Sequence, residues 1–492
     1  MMNLDAVFLA RLQFAFTVGF HYLFPPLTIG LGLLMVIMEG LFLRTRDYQY
    51  EAMAKFWTKI FGLIFAMGVA SGIVMEFQFG TNWATYSRYV GDIFGAALAA
   101  EGIFAFFLES GFLAVLVFGW DKVSPRMHFF STLMVCLGSI FSAVWIIVAN
   151  SWQQTPAGFE LVQQKLADGS VLTVARLTDF WAAVFNHSTL YRLSHVLVGA
   201  MIAGGFLVLS VSSYYLLKGR HVDFARRSIR IALPFSLIFC LLALVTGDLQ
   251  GRNVARWQPA KLAAMEGLYQ TQAHAPLHLF GVPDDAAQRV KYGVAIPGLL
   301  SYLVHLDPAQ PVTGLDAFPP EDRPPVGLTF QSFHLMVALG MFMILLTLTG
   351  TVLLRRDRLF AQRWLLRVLV VAIVAPMAAN QLGWIAAEVG RQPWIVYPVP
   401  DVPGSGLRTV EASSRAVDAT EVLISMILVG FIYAALLAVW LFVLDKKIKA
   451  GPESPEELSA AAARRTGGWV QAATALPGRA ESLTDTPRRD GR

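Results

Sequence analysis

The chain has 492 residues, a formal net charge of +5 and a mean hydropathy of +0.55; 55% of it is hydrophobic and only 15% charged. That charge content lies far below the roughly 25% of a soluble domain, which excludes an ordinary globular protein, and the basic excess gathers beside apolar runs rather than in a nucleic-acid-binding patch. The two cysteines, Cys136 and Cys240, stand alone in apolar stretches, so c-type haem attachment and a four-thiolate iron–sulfur cluster are excluded, and no GxxxxGK[ST] phosphate loop occurs.

Taken in chain order, apolar runs predict an all-α integral membrane protein with nine spans, at 15–43, 58–80, 95–119, 128–149, 189–217, 229–247, 329–354, 367–387 and 420–445. The first run lacks a basic lead and a small-residue cleavage site, so it is read as retained. An odd number of spans puts the termini on opposite faces. Basic residues cluster after the odd spans: Arg44, Arg46, Lys55 and Lys59; Lys122 and Arg126; Arg226, Arg227 and Arg230; Arg355, Arg356 and Arg358; Lys446, Lys447 and Lys449. By the positive-inside rule these ends and the C-terminus are cytoplasmic. The N-terminus, the 150–188 and 248–328 loops and the GRQPW turn then face outward. The 248–328 loop is too long for a plain connection; with helix-capable 259–272 and Pro-rich 318–325 it reads as a partly ordered surface element. Residues 1–447 form the membrane domain, and the Ala-, Arg- and Pro-rich 448–492 segment is expected to be disordered. No internal repeat is present, which counts against inverted-repeat transporters.

Polar residues inside the spans carry the information. An ionisable side chain at a helix centre costs roughly 2.5–3.5 kcal/mol on insertion scales, so it persists where it pairs, binds a ligand or moves protons. His21, Glu101, Glu109, His195, His334 and Glu388 sit in or beside apolar stretches, with Arg391 one turn after Glu388. Glu101 and Glu109 are eight residues apart, about 80° around an ideal helix and about 12 Å along it, which suits a proton relay or two structural pairings. His128 begins a span; His187, His221, His274, His278 and His305 read as solvated. Three scattered membrane histidines are too few for a copper–haem site. They suffice for haem held by one histidine, or by His plus Met.

With its motifs in order, the chain resembles subunit I of the cytochrome bd-type quinol oxidases from residue 8 to about 447. The matching stretches are RLQFAFTVGFHYLFPPLTIG (11–30), the 55–95 segment containing EFQFGTNW, LAAEGIFAFFLESGF (98–112), AVWIIVANSW (143–152), KLAAMEGLYQTQ (261–272) and GWIAAEVGRQPW (383–394). The resemblance implies three non-covalent haems bound between helices: a low-spin haem b on His195 and Met336, a second haem b, and haem d or a further haem b in its place. His21 would ligate one high-spin haem and Glu388 would be ligand or near neighbour of the other. Trp384 and Arg391 would lie beside the haems, the guanidinium holding a propionate. Lys261 and Glu266 would serve quinol oxidation, and Glu101 and Glu109 the proton route.

The implied reaction oxidises quinol (ubiquinol or menaquinol) outside and reduces O2 to water with cytoplasmic protons, generating a gradient without pumping. The implied partners are oxidase subunit II, a small single-helix subunit and the lipid of a bacterial cytoplasmic (inner) membrane. His334 stands where well-known members have Arg, and is read as a propionate or packing neighbour. The outward loop is short, as in the cyanide-insensitive branch. Two other readings use the same residues. A transporter or proton channel would need no cofactor, and an electron carrier without oxygen chemistry would need only His195 and Met336.

Overall fold

The computed structural model describes residues 5–165, 169, 171–414, 416–460 and 463; residues 464–492, most of the segment expected to be disordered, lie outside the described residues. Asp5 caps the first helix, α1 (Ala6–His21), by accepting from the Val7 amide. Pro25 and Pro26 cannot continue α1, because Pro lacks the amide a helix donates four residues back and its ring crowds that carbonyl. The same Pro25 opens α2 (Pro25–Thr45) at its first turn. The first expected span is therefore two helices end to end, and the break leaves His21 as the last residue of α1. Asp47 caps α3 (Tyr48–Gly80).

The third span runs as α4 (Ala84–Glu101), a π-turn over Gly102–Phe106, and α5 (Phe107–Phe118). Ser124 caps α6 (Pro125–Gln154), which outruns the expected 128–149 and makes the ANSWQQ sequence its last turns. The following loop holds a hairpin, β1 (Phe159–Lys165) with β2 (Val171–Leu177), and α7 (Phe180–Val184). Helices α8 (Thr189–Lys218) and α9 (Val222–Trp257) come next. The long loop is ordered: α10 (Pro259–Glu266), the hairpin β3 (Leu277–Asp284) with β4 (Arg289–Ile296), and α11 (Leu299–His305). The chain closes with α12 (Val326–Arg355), α13 (Arg363–Val371), α14 (Val374–Val389), the short pair β5 (Trp394–Val396) and β6 (Leu407–Arg408), α15 (Thr409–Ala412) and α16 (Ala419–Ala450). Residues 455–460 are again helical.

Among the described residues nine segments are long and apolar enough to span a membrane, as the sequence indicates. The core lies where α2 crosses α8. Gly30 and Gly204 meet backbone to backbone there; a Cβ on Gly204 would fall 2.3 Å from the Gly30 carbonyl carbon. Small residues that let helix axes approach are how spans associate when lipid removes the hydrophobic drive. Phe24, Leu31, Leu34, Phe61 and Phe206 belong to the main buried cluster, to which both helices contribute. In contrast, α16 turns Ile424, Ile427, Leu428, Phe431 and Phe442 outward, an arrangement stable only in an apolar surrounding.

Candidate haem and quinol sites

Two histidines hang from helix faces in matching ways. His21, at the end of α1, places Nδ1 3.0 Å from the Ser71 hydroxyl of α3, and Gly72 lies against its Cε1. His195, in α8, places Nδ1 3.0 Å from the Thr246 hydroxyl of α9, and Gly247 lies against its Cε1. Met336 of α12 brings its sulfur to Gly383 of α14, where an added Cβ would sit 3.0 Å away. One residue on, Trp384 packs edge to face with Tyr22 at 5.4 Å and lies under the Arg192 guanidinium at 5.6 Å. The surroundings of His21, His195 and Glu388 thus join through Tyr22, Trp384 and Arg192.

Glu388, in the last turn of α14, is the centre of a buried polar cluster. Its carboxylate accepts from Asn150 and Gln154 at 3.2 Å each, pairs with Arg192 at 3.7 Å and is hydrogen-bonded by Arg391. Arg391 also donates to Gln153 at 2.5 Å, and Arg192 to Asn150. Lys261, fully buried in α10, donates to Gln258 at 2.6 Å and to Gln154, so it joins the cluster from the loop side. Burial, with Arg192 and Arg391 near, holds the Lys261 ammonium well below the usual lysine range. Even with Lys261 uncharged, two guanidinium groups share one carboxylate. The Nε atoms of both Arg192 and Arg391 are buried without a hydrogen-bond partner among the described residues. Buried uncompensated cations are costly, so the cluster fits a group that brings carboxylates of its own, as a haem does with its propionates.

The other loop carboxylate, Glu266, lies five residues along α10 from Lys261, on another face. It is buried, one carboxyl oxygen lacks a partner among the described residues, and burial pushes its pKa up to about 8. Its carbonyl accepts from His278 at 3.2 Å, and the His278 carbonyl accepts from His334 at 2.8 Å. His278 is therefore half-buried at this site, and not simply solvated as expected from its place in a loop. His334 stacks on Phe330 at 3.8 Å, and its second nitrogen lies 2.9 Å from the Phe330 carbonyl. Both its nitrogens are occupied by backbone, which makes it a packing residue here.

The carboxylates of the third span both reach α6. Glu109 accepts from Ser139 and Glu101 from Ser142, each at 2.5 Å. An unbroken α-helix would leave the two acids about 80° apart. The π-turn between them takes up one extra residue, roughly 100° of rotation, so the offset falls to about 20° and both meet the same neighbour. Farther along α6, His128 bonds Glu39 at 2.6 Å and the Leu116 carbonyl at 3.1 Å, and Thr132 donates to Glu39 at 2.5 Å. His128, Thr132, Ser139 and Ser142 fall within about 80° of one another around α6, a polar row on one face of an apolar span.

Sequence reasoning missed Arg192, Gln153, Gln154, Glu39 and Thr132. Arg192 had a signal, one turn before His195 in an apolar helix. Thr132 and the two serines had one in their spacing. Glu39, near the end of its span, had none that separates it from a surface acid.

The family model for cytochrome bd terminal oxidase subunit I matches residues 9–452. Cytochrome bd ubiquinol oxidase subunit 1 of Bacillus subtilis (strain 168) is 37% identical over 455 residues, covering 90% of this chain and 94% of the relative. Cytochrome bd-II ubiquinol oxidase subunit 1 of Escherichia coli (strain K12) is 33% identical over 516 residues, covering 92% and 98%. A chain of the bd oxidase structure from Geobacillus thermodenitrificans superposes with a TM-score of 0.82 at 30% identity, covering 92% of this chain and all of that one.

Proposed function

This chain belongs to the cytochrome bd terminal oxidase subunit I family, and from that premise we propose how its residues divide the work. It is a haem-binding, multi-pass subunit of a quinol:oxygen oxidoreductase, acting with a subunit II. Bound haem supplies one-electron transfer and an iron at which oxygen is reduced to water. His195 with Met336 holds the low-spin haem b. His21 and Glu388 serve the two high-spin haems, a second haem b and a haem d or further haem b. Arg391, Arg192 and Trp384 orient those groups and fix their propionates. The observation that carries this reading is the Glu388 cluster: an excess of buried guanidinium with two unpartnered Nε atoms at the end of the span that also holds Trp384.

Quinol, as ubiquinol or menaquinol, is oxidised at the 248–328 loop. Glu266 takes up and passes on its protons, while Lys261 ties α10 to the Glu388 cluster. Protons for water enter from the opposite face past Glu39, His128 and Thr132, reach Glu109 on Ser139 and then Glu101 on Ser142. Opposite faces for release and uptake separate charge without a pump. The basic clusters after the odd spans support an outward N-terminus and a cytoplasmic C-terminus in a bacterial cytoplasmic membrane. A small single-helix subunit and lipid would cover the outward apolar side chains of α16.

Reduced-minus-oxidised spectra of the purified oxidase, with and without carbon monoxide, test the reading. His195→Ala and Met336→Ala should each abolish the low-spin band and quinol-driven turnover while the carbon monoxide response of the high-spin haems remains. Retention of that band in Met336→Ala would place the ligand elsewhere. The same spectra distinguish haem d from haem b, and absence of all haem bands would overturn the assignment of these residues as haem ligands.

A further inference from the structure

Four membrane-embedded histidines fall into two kinds. His128 and His334 have both ring nitrogens against oxygens that accept: a carboxylate and a carbonyl for His128, two carbonyls for His334. Neither has a nitrogen to spare. His21 and His195 differ, because each turns Nδ1 to a hydroxyl, His21 also bonding the Gly68 carbonyl, and no partner is recorded for Nε2 of either among the described residues.

Those hydroxyls are not free to turn. Ser71 lies 2.7 Å from the Met67 carbonyl, four residues back in its own helix, and Thr246 lies 3.0 Å from the Leu242 carbonyl, also four back. A carbonyl oxygen can only accept, so each hydroxyl's single proton goes to it. What each hydroxyl then turns to the imidazole is a lone pair, and the proton of that contact must sit on the histidine's Nδ1. The neutral ring has one proton, so Nε2 is left with its own lone pair outward. The next residue in each case is glycine: Gly72 would put a Cβ 3.3 Å from the His21 Cε1, and Gly247 one 3.5 Å from the His195 Cε1. A hydroxyl and a glycine, adjacent in sequence on the neighbouring helix, thus form the same seat twice.

We propose that Ser71–Gly72 and Thr246–Gly247 are matched imidazole seats, in which Ser71 and Thr246 act as positioning residues that fix His21 and His195 as Nδ1–H tautomers with Nε2 presented to iron. The inference rests on the reading of His21 and His195 as haem ligands. Hydrogen bonds from the distal ring N–H orient a metal-bound histidine and raise its basicity. A more basic ligand favours ferric iron, so loss of the bond should favour the reduced state. The device acts at two different haems, and each should respond to its own hydroxyl alone.

The test is a redox titration of the haem bands, with haem content, in the intact purified oxidase. Thr246→Val removes the hydroxyl at nearly constant shape. It should move the low-spin haem toward the reduced form by about threefold, the weight of one hydrogen bond, or about 30 mV at 59 mV per tenfold. The high-spin bands should stay where they are. Ser71→Ala should do the converse and lower the iron–histidine stretching frequency in the resonance Raman spectrum of the reduced enzyme. Thr246→Ser and Ser71→Thr, which keep the hydroxyl, should restore wild-type values. If Thr246→Val fails to accumulate, Thr246→Ala carries the same expectation without the added methyl. Unchanged potential in the hydroxyl-free variants, with haem retained, overturns the inference. An intact low-spin band in His195→Ala would instead overturn the ligand reading beneath it.

Discussion

Replacing Glu266 with Gln should flatten the pH dependence of stability in the outward loop. The carboxyl is buried with one oxygen unpartnered, and its pKa is pushed from an ordinary 4.5 up to about 8. Opening the loop returns the group to water, where it ionises above pH 4.5. Between pH 4.5 and 8 the opened state therefore sheds a proton that the closed state keeps, and the closed state loses ground as pH rises. Each pH unit in that window is worth about 1.4 kcal/mol, so raising the pH from 5 to 7 should weaken closure by about 3 kcal/mol, roughly a hundredfold. The loss should level off above pH 8. Hydrogen exchange over residues 259–278, comparing wild type with Glu266→Gln at each pH, cancels the intrinsic pH dependence of exchange. The variant should be protected more than wild type by roughly a hundredfold more at pH 7 than at pH 5. Equal protection ratios at the two pH values would show that Glu266 is not held neutral by burial, and the reasoning would fail.

The α2–α8 crossing should be intolerant of a single methyl: Gly204→Ala, with its Cβ 2.3 Å from backbone, should lose about 1–3 kcal/mol and show early thermal loss of haem absorbance, whereas Gly327→Ala, with nothing within 4 Å, should not. Glu109→Gln keeps the shape and the Ser139 contact but cannot release a proton. It should retain the haem bands and fast low-spin reduction yet lose most steady-state oxygen consumption; wild-type turnover would reduce the row to structural pairing.

Much of this was legible because the membrane makes polar residues expensive. His21, His195, Glu101, Glu109 and Glu388 announce themselves against apolar neighbours, and the structure places each where it meets a polar partner from another helix. Span count followed from length and hydropathy alone. What escaped was geometry that depends on local departures from a straight helix. A break at Pro25 puts His21 at a helix end, and extra turns carry Gln154 to Glu388 and Gln153 to Arg391. Lys261 and Glu266 share one short helix, and sequence proximity grouped them. Only the fold shows that α10 sends the Lys261 side chain to the Glu388 cluster and leaves the Glu266 carboxyl buried with one oxygen unpartnered among the described residues. The hairpins were silent because their alternation is weak beside the spans.

The π-turn at Gly102–Phe106 also sets how this stretch can change over time. It works as a one-residue spacer, so its cost and its benefit are both counted in rotation. Deleting one residue within it would let the span relax to a plain α-helix without turning its N-terminal side, because seven residues of α-helix leave the same offset of about 20° as eight residues with the π-turn. Glu101 would then still face Ser142, whereas straightening the turn with all its residues kept would swing Glu101 and the outward face of α4 by roughly 100°. A single-residue gap across 102–106 is therefore the length change this span can absorb, whereas a two-residue gap must be answered by a second change, either a new acid on α4 or a new hydroxyl on α6.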